Sequence, residues 1–469
     1  MSLIAPQDAA FLLGETPAQP THVAGLAVYE LPLNAGRDYV GGLYRELLSH
    51  TAVRSRLRQR PADPVGSIGN IWWTEEADVD LEYHVRLAAL PRPGRMRELL
   101  ALVSRLHGQP LDRHHPLWEF YVIEGLEGNR FATYSKIHHA LYDGVSSTEL
   151  LTNWLSPDPD RRVATPWWST AHEVSQAEEN DGPSRDVARD IVRVAGQPVR
   201  AVRDLAGVSS SVGRMVARCL RGRGAGVPYR VPRTMLNTSI SGSRRFITHQ
   251  WPLSRIKRAG TLHGATVNDV VLAMCAGALR RYLIDHDGLP DNALTAGVPV
   301  SLRSLGAFDD TGNAVGIVPC SLATHLSDPH ERLTNIRASM EAAKAELSTQ
   351  STRQIQLLTG LISTGSLLAT QVPGAADVAP PAVNLIISNV PGPREPLFWD
   401  GARMSEVYPL SVPQQGQALN ITVFSYAGQL NFGLTGCRRR QPQLQRMLGY
   451  LEASLAELEI AGQFPERWL

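Results

Sequence analysis

Several motifs that define common enzyme classes are absent from this chain of 469 residues. It has no Gly-x-Ser-x-Gly elbow, which argues against a hydrolase-type serine nucleophile. It also lacks a Gly-Lys-Ser/Thr P-loop and a Gly-x-Gly-x-x-Gly dinucleotide loop. His-Glu-x-x-His is missing as well, so the sequence gives no sign of a helical zinc site of that kind.

Lysine, cysteine and long apolar runs are scarce. Only three of the 46 basic residues are lysine. The formal net charge is +1, and this near-neutral charge argues against nucleic acid as the main partner. The four cysteines show no Cys-x-x-Cys spacing, which is typical of a reducing cytoplasm. The first 15 residues lack a basic segment and are not predicted to be a signal peptide. The two longest uncharged stretches, 354–376 and 407–437, are too polar to predict a membrane span.

The most informative stretch is the heptad His138-His139-Ala140-Leu141-Tyr142-Asp143-Gly144. It combines two histidines, an aspartate four residues after the second one, and a glycine that suits a tight turn. Imidazole titrates near neutral pH and often acts as a general base, and a nearby carboxylate can orient it. The pattern therefore predicts a catalytic base in this heptad.

Two other interpretations of the heptad stay open when only its residues are considered. A histidine in an apolar setting is often a satisfied core residue. Imidazole and carboxylate groups also bind metal ions. Because no further ligand group with zinc-type spacing occurs in the sequence, we predict no metal site.

Local patterns place the heptad at the end of a β-strand. Residues 118–123 and 131–137 are β-prone runs on either side of a glycine-containing segment, which predicts a hairpin. Its second strand would deliver both histidines at its end. In the C-terminal part, Thr266 is predicted to cap a helix. Residues 419–424 and 430–434 are predicted to form a second hairpin.

The length of the chain and its mixture of strands and helices predict an α/β protein with two layered domains. We place the N-terminal domain at residues 1–170, a linker at 171–236 and the C-terminal domain at 237–469. Within the linker, residues 184–223 are helix-prone and carry nine arginines against three aspartates. This segment is predicted to be a connector packed on one domain or an interfacial helix attracted to anionic lipid.

Seven motifs together resemble the bacterial wax ester synthase/diacylglycerol acyltransferase family of the chloramphenicol-acetyltransferase superfamily. The heptad matches the active-site signature of that family, and the other motifs follow the family's order along almost the whole chain. They are the opening residues Asp8, Phe11 and Leu12 with Pro20–Leu26, Pro110–Arg113 with Pro116–Glu119, Thr266–Val270, Val298–Arg303, Ser388–Pro393 and Ala418–Ile421. His115 stands where the family usually has arginine, so no role is carried over to that position.

The resemblance implies two chloramphenicol-acetyltransferase-like domains, joined by a helical linker, with an active-site tunnel between them. It implies that His139 is the general base and that His138 and Gly144 belong to the same catalytic signature. Asp143 would be mainly structural, in an ion pair with Arg303.

Three more residues become candidates for holding the alcohol or the developing oxyanion. They are Asn268, Ser388 and Asn389. For Asn268 and its neighbour Asp269, capping of the first helical turn is an equally good interpretation. The segment Ser388–Pro393 could equally be a turn without a chemical role.

The implied activity is transfer of a long-chain acyl group from acyl-CoA to a fatty alcohol or diacylglycerol. The product would be a wax ester or triacylglycerol, formed without an acyl-enzyme, a metal or a cofactor, since acyl-CoA is a substrate. We expect a cytoplasmic protein that associates peripherally with the inner membrane or with lipid inclusions, and no nucleic-acid partner. The sequence does not indicate an oligomeric state.

Two alternatives to this activity remain. Condensation domains and polyketide-associated acyltransferases share the His-His-x-x-x-Asp-Gly core but use carrier-bound donors. In a different class, the chain could be a catalytically inactive coat protein of lipid droplets.

Overall fold

The computed structural model describes most of the chain, with several gaps. The described residues are 2–4, 6–62, 72–142, 150, 152–162, 165–170, 231–301, 315–349, 374–378 and 380–463. Asp143, Gly144 and Arg303 lie outside these residues, as do most of the predicted linker and all of its arginine-rich segment.

The helices differ widely in length, and the longest of them belong to the C-terminal half. They are α1 (Pro6–Gly14), α2 (Tyr39–Ser49), α3 (Leu81–His84), α4 (Met96–His107), α5 (Leu253–His263), α6 (Val267–Ile284), α7 (Pro329–Thr349), α8 (Ala375–Val378) and α9 (Arg446–Gln463). A 3₁₀ turn spans Ser55–Arg58.

Within the described residues, the strands form two sheets of six strands and one of three. They are β1 (Ser2–Leu3), β2 (His22–Glu30), β3 (Gln59–Pro61), β4 (Trp72–Glu75), β5 (Val85–Ala89), β6 (Trp118–Leu126), β7 (Arg130–His138), β8 (Arg244–Pro252), β9 (Thr295–Ser301), β10 (Val315–Ser321), β11 (Leu385–Val390), β12 (Phe398–Trp399), β13 (Ala402–Leu410), β14 (Leu419–Tyr426) and β15 (Gln429–Cys437). The small sheet has the order β1-β4-β3.

The N-terminal sheet has the order β12-β13-β2-β7-β6-β5. Strands β6 and β7 form the predicted antiparallel hairpin, and β2 pairs antiparallel with the other side of β7. Strand β7 is therefore central, and most of its side chains are buried. Leu99 and Val103 of α4 pack against one face of the sheet, which includes Leu26 and Val28.

The C-terminal sheet has the order β10-β9-β11-β14-β15-β8, and β14 and β15 form the second predicted hairpin. One of its faces is covered by α5, α6, α7 and α9, which share a large apolar core with it. Alternate residues of β14 face that core, namely Leu419, Ile421 and Val423. Thr266 caps α6, as predicted, and its hydroxyl accepts a hydrogen bond from the Asp269 N–H.

The hydrogen bonding of the sheets crosses the predicted domain limits. Strands β12 and β13 lie within residues 237–469, yet they extend the N-terminal sheet, where β13 pairs with β2. The two large sheets also meet directly: a Cβ atom added to Gly433 of β15 would lie 2.0 Å from the Pro409 carbonyl oxygen of β13. Glycine at position 433 therefore permits this close backbone contact.

Candidate active site

The two histidines of the heptad lie where β7 ends, as the sequence predicts. His138 is the last residue of β7 and pairs with His22, the first residue of β2. Its N–H donates to the Leu117 carbonyl at 3.0 Å, and the His139 N–H donates to the Thr21 carbonyl at 3.0 Å. Both backbone positions are thus fixed by neighbouring chain segments on either side.

His138 is fully buried, and its ring is held from both sides. The Ala140 N–H donates to Nδ1 at 3.1 Å, so Nδ1 must be an acceptor there. The Nε2 atom, which lies 3.0 Å from Thr21 Oγ1, then carries the hydrogen and donates it. Both ring nitrogens of His138 are thus engaged inside the protein, and its part in the catalytic signature stays a prediction.

A buried carboxylate lies beside His138. Glu15 Oε1 is 3.6 Å from His138 Nε2 and accepts a hydrogen bond of 3.0 Å from the Thr21 N–H. Arg113 Nη2 lies 3.0 Å from Glu15 Oε2. Burial raises the pKa of Glu15, but the interactions with His138, Thr21 and Arg113 outweigh it and lower the pKa to about 2. Glu15 is therefore an anion at neutral pH.

His139 differs from His138 in its surroundings. It is only partly buried, and its ring stacks on the ring of Phe11, with centroids 4.1 Å apart and planes inclined by 18°. Its Nδ1 atom is buried. Of the two histidines, His139 is thus the one that keeps an accessible surface and a defined ring plane, as a general base requires.

Arg56 contacts two residues that follow the histidines, Leu141 and Tyr142. Arg56 Nε donates to the Leu141 carbonyl at 2.7 Å, and the guanidinium group lies 5.3 Å from the centroid of the Tyr142 ring. The predicted partnership of Asp143 with Arg303 lies outside the described residues, as does Gly144.

A second buried charge pair supports β7 two residues before His138. Lys136 Nζ lies 2.9 Å from Glu119 Oε2, with the two side chains 1% and 8% exposed. Lys136 also donates to the Gln109 carbonyl at 3.2 Å, and Tyr121 donates to Glu119 at 3.1 Å. Burial lowers the pKa of Lys136, while Glu119 acts in the opposite direction. This pair gives the glutamate of the Pro-Leu-Trp-Glu motif a structural role.

The capping interpretation of the Asn268-Asp269 motif is confirmed for Asp269. Asp269 Oδ2 accepts hydrogen bonds from Thr266 N at 2.9 Å and from Thr266 Oγ1 at 2.6 Å, which completes a capping box. Asn268 is the second residue of α6 and is half-buried, and its role in binding substrate stays a prediction.

Ser388 and Asn389 are half-buried residues of β11, which pairs in parallel with β14. The strand ends at Val390, which belongs to the same apolar core cluster as Ala140 and Leu141. The end of β11 and the residues that follow β7 therefore both contribute to this apolar core. The proposed contact of Ser388 or Asn389 with substrate stays a prediction.

His115, which stands where the family that the sequence resembles usually has arginine, stacks on Tyr83 with ring centroids 3.8 Å apart.

Within the described parts of the chain, no group of three or more His, Cys, Asp or Glu side chains could hold a metal ion. No single described helix is long and apolar enough to cross a membrane, although α5 and α6, bent by 96°, pass that test as a pair on length and composition.

Comparison with known proteins identifies the family. Residues 4–271 match the wax ester synthase/diacylglycerol acyltransferase catalytic domain, and residues 311–459 match the C-terminal domain of the same family. The chain belongs to the wax ester synthase/diacylglycerol acyltransferase family. It is thus an acyltransferase, and the resemblance noted in the sequence is confirmed.

Individual relatives cover nearly the whole of this acyltransferase. A probable diacylglycerol O-acyltransferase from Mycobacterium tuberculosis is 44% identical over 98% of this chain and 99% of its own length. The wax ester synthase/diacylglycerol acyltransferase structure from Marinobacter aquaeolei VT8 is 37% identical, with a TM-score of 0.74 over 98% of this chain and 100% of its own. The predicted two-domain α/β fold is therefore confirmed.

The fold also extends to condensation domains. The first condensation domain of the CDA synthetase is 17% identical, with a TM-score of 0.54 over 97% of this chain and 95% of its own. At this identity the likeness shows a shared fold alone.

Sequence reasoning did not assign roles to four residues that surround the histidines. They are Phe11, Glu15, Thr21 and Arg113. Phe11, Thr21 and Arg113 lie in or next to the motifs that resemble the family, which is a signal of importance but not of partnership. Glu15 carries no local signal, because its contact with His138 forms only when the end of α1 folds back against β7.

Proposed function

We propose that this acyltransferase moves a long-chain acyl group from acyl-CoA to the hydroxyl group of a diacylglycerol or a fatty alcohol, with His139 as the general base. The observation that carries the proposal is the difference between the two histidines. His138 is buried with both ring nitrogens engaged, whereas His139 is partly exposed at a strand end with its ring plane held by Phe11.

In the proposed reaction His139 accepts the proton of the acceptor hydroxyl as the oxygen attacks the thioester carbonyl carbon. A bond forms between that oxygen and the acyl carbon, and the carbon–sulfur bond then breaks. The departing CoA thiolate takes the proton from the imidazolium, which returns His139 to its neutral form. The reaction needs no acyl-enzyme and no cofactor beyond the two substrates.

The remaining site residues take supporting roles in this proposal. Asp143 and Arg303 would form an ion pair that holds the loop after the histidines. Asn268, Ser388 and Asn389 would line the path of the acceptor or donate hydrogen bonds to the oxyanion. Partners are acyl-CoA and the hydroxyl substrate. The near-neutral charge of +1 still argues against nucleic acid.

The test is a thiol-release assay with purified protein, palmitoyl-CoA and either hexadecanol or dioleoylglycerol, without any carrier protein, with the lipid product identified by mass spectrometry. We expect thiol release to depend on the acceptor and to fall by roughly 10²–10⁴-fold in His139→Gln. Near-normal turnover of a folded His139→Gln variant would reject His139 as the base. Turnover only with a carrier-bound donor would favour a condensation-type activity, and no turnover with any donor would favour a coat protein.

The products are insoluble in water, so we also propose that the protein works at the surface of the inner membrane or of a lipid inclusion, facing the cytoplasm. The support is the arginine excess of residues 184–223, since a basic residue near an anionic surface contributes about 1 kcal/mol. Flotation with anionic vesicles compares the wild type with a variant in which Arg193, Arg200, Arg214 and Arg218 are changed to glutamine. Equal binding of the two proteins would leave this segment as a connector.

A further inference from the structure

The ring of Phe11 is the immediate neighbour of the His139 imidazole. Phe11 belongs to α1, and the two rings lie nearly parallel with their centroids 4.1 Å apart. Both residues are half-buried, so the stack lies at the margin of the core rather than deep within it.

Thr21 contacts both Phe11 and His139, so that the three residues contact one another in pairs. The His139 N–H donates to the Thr21 carbonyl at 3.0 Å. The Thr21 hydroxyl lies 3.1 Å from the Phe11 carbonyl, to which it donates. The stack of Phe11 on His139 completes the circuit. Each of the three residues is thus fixed by the other two.

The backbone hydrogen bond does not by itself set the plane of the imidazole. A main-chain contact fixes the Cα position of His139, but rotation about its second side-chain torsion has a broad, roughly two-fold profile. A parallel aromatic neighbour limits rotation of the imidazole out of its plane, because that rotation would break the face-to-face contact. Phe11 therefore contributes to fixing the plane in which the ring nitrogens of His139 lie.

We propose that Phe11 is a positioning residue that sets the ring plane of His139 and so directs its basic nitrogen toward the acceptor hydroxyl. This inference rests on the proposed function, in which His139 is the general base. Proton transfer requires a hydrogen-bond geometry, and a misplacement of about 1 Å can cost on the order of 10²-fold in rate. The same contact explains why an aromatic ring at the margin of the core faces the heptad.

The experiment compares Phe11→Leu, which keeps apolar bulk but loses the flat face, with Phe11→Tyr, which keeps the face. We expect Phe11→Leu to lower kcat by roughly 10- to 100-fold with little change in KM for palmitoyl-CoA. Phe11→Tyr should recover most of kcat. Equal kcat values for Phe11→Leu and the wild type would overturn the proposal.

A matched control separates positioning from general loss of packing. Phe131 is fully buried and stacks on Tyr29 in the same sheet, with centroids 5.0 Å apart and planes inclined by 14°. Phe131→Leu should lower the melting temperature without lowering kcat in the folded protein. If Phe131→Leu and Phe11→Leu reduce kcat alike, the effect is one of packing, and the proposal is wrong.

A double variant separates this inference from the proposed function. A residue that acts only through His139 has nothing left to position in His139→Gln, so Phe11→Leu should cause no further loss of activity in that background. If the activity losses of the two single variants multiply in the double variant, the inference about Phe11 is overturned. The role of His139 as the general base would still stand. High activity of His139→Gln alone would instead overturn the proposed function.

Discussion

Glu15 and His138 form a buried contact at the end of β7, with the carboxylate Oε1 3.6 Å from the imidazole Nε2. Thr21 joins them, because its N–H donates to Glu15 and its hydroxyl oxygen accepts from His138. The Thr21 carbonyl also accepts the N–H of His139. The buried anion is thus connected through one threonine to both histidines.

We expect Glu15→Gln to remove a pH-dependent part of the stability. The pKa of Glu15 is about 2 in the folded protein against an ordinary 4.5. A lowered pKa stabilises the fold fully above pH 4.5, and this contribution is lost as the pH falls toward 2. Urea unfolding should therefore show a gap between wild type and variant of up to roughly 3 kcal/mol at pH 7 that narrows between about pH 4.5 and 2.

The control for this prediction is Glu341→Gln. Glu341 is 65% exposed and pairs with Arg337 within α7, where solvent screening makes an ion pair weak. Its substitution should change the unfolding free energy little at any pH. A gap for Glu15→Gln that stays constant from pH 7 to pH 2 would show that packing, not charge, makes Glu15 important.

We expect substitution of His138 to lower mainly the stability, and substitution of His139 to lower mainly the reaction rate. His138→Ala leaves the buried Ala140 N–H without its acceptor and should cost about 1–3 kcal/mol of stability. His138→Asn, whose side-chain oxygen can replace Nδ1 as that acceptor, should recover part of the loss. His139→Gln should lower the rate far more than either variant and leave the melting temperature nearly unchanged. Thermal melts and rates measured on the same preparations check this, and the opposite pattern would exchange the two roles.

The predictable parts of the structure are those that depend on local patterns. Strands β6 and β7 form buried β-prone runs around a glycine turn, and Thr266 with Asp269 is a local capping pair, so both were found from the sequence. The addition of β13 to the N-terminal sheet was not predicted, because its pairing with β2 brings together distant segments whose strand patterns would fit other partners. The contact of Glu15 with His138 was not predicted either, because it also joins segments that are distant in the sequence.

The pairing of Lys136 with Glu119 gives a third prediction. Lys136→Met removes the nearer of two cations from the buried carboxylate of Glu119, since Arg86 Nη2 remains 3.6 Å from Oε1, and should cost about 1–3 kcal/mol in urea unfolding. The double variant Lys136→Met/Glu119→Gln also removes the carboxylate charge and should recover part of that loss. If the double variant is as unstable as the single one, the cost comes from lost packing of the lysine side chain.

The last prediction concerns Gly392, in the segment that follows β11. A Cβ atom at this position would lie 2.1 Å from Phe424 Cζ and 2.4 Å from the Ser425 carbonyl oxygen. Because the carbonyl belongs to the backbone of β14, it cannot move aside without disturbing the strand that pairs with β11. Gly392→Ala should cost about 1–3 kcal/mol of stability in urea unfolding.

Gly42 in α2 provides the matched control, since an added Cβ there has no atom within 4 Å. Gly42→Ala should raise stability by roughly 0.5–1 kcal/mol, because alanine is favoured over glycine within a helix. Phe424 and Val390 share the core cluster that contains Ala140 and Leu141, so the displacement in Gly392→Ala should also reach the end of β7 and lower kcat. A Gly392→Ala variant as stable and as active as Gly42→Ala would mean that the loop after β11 can move away from β14 without cost.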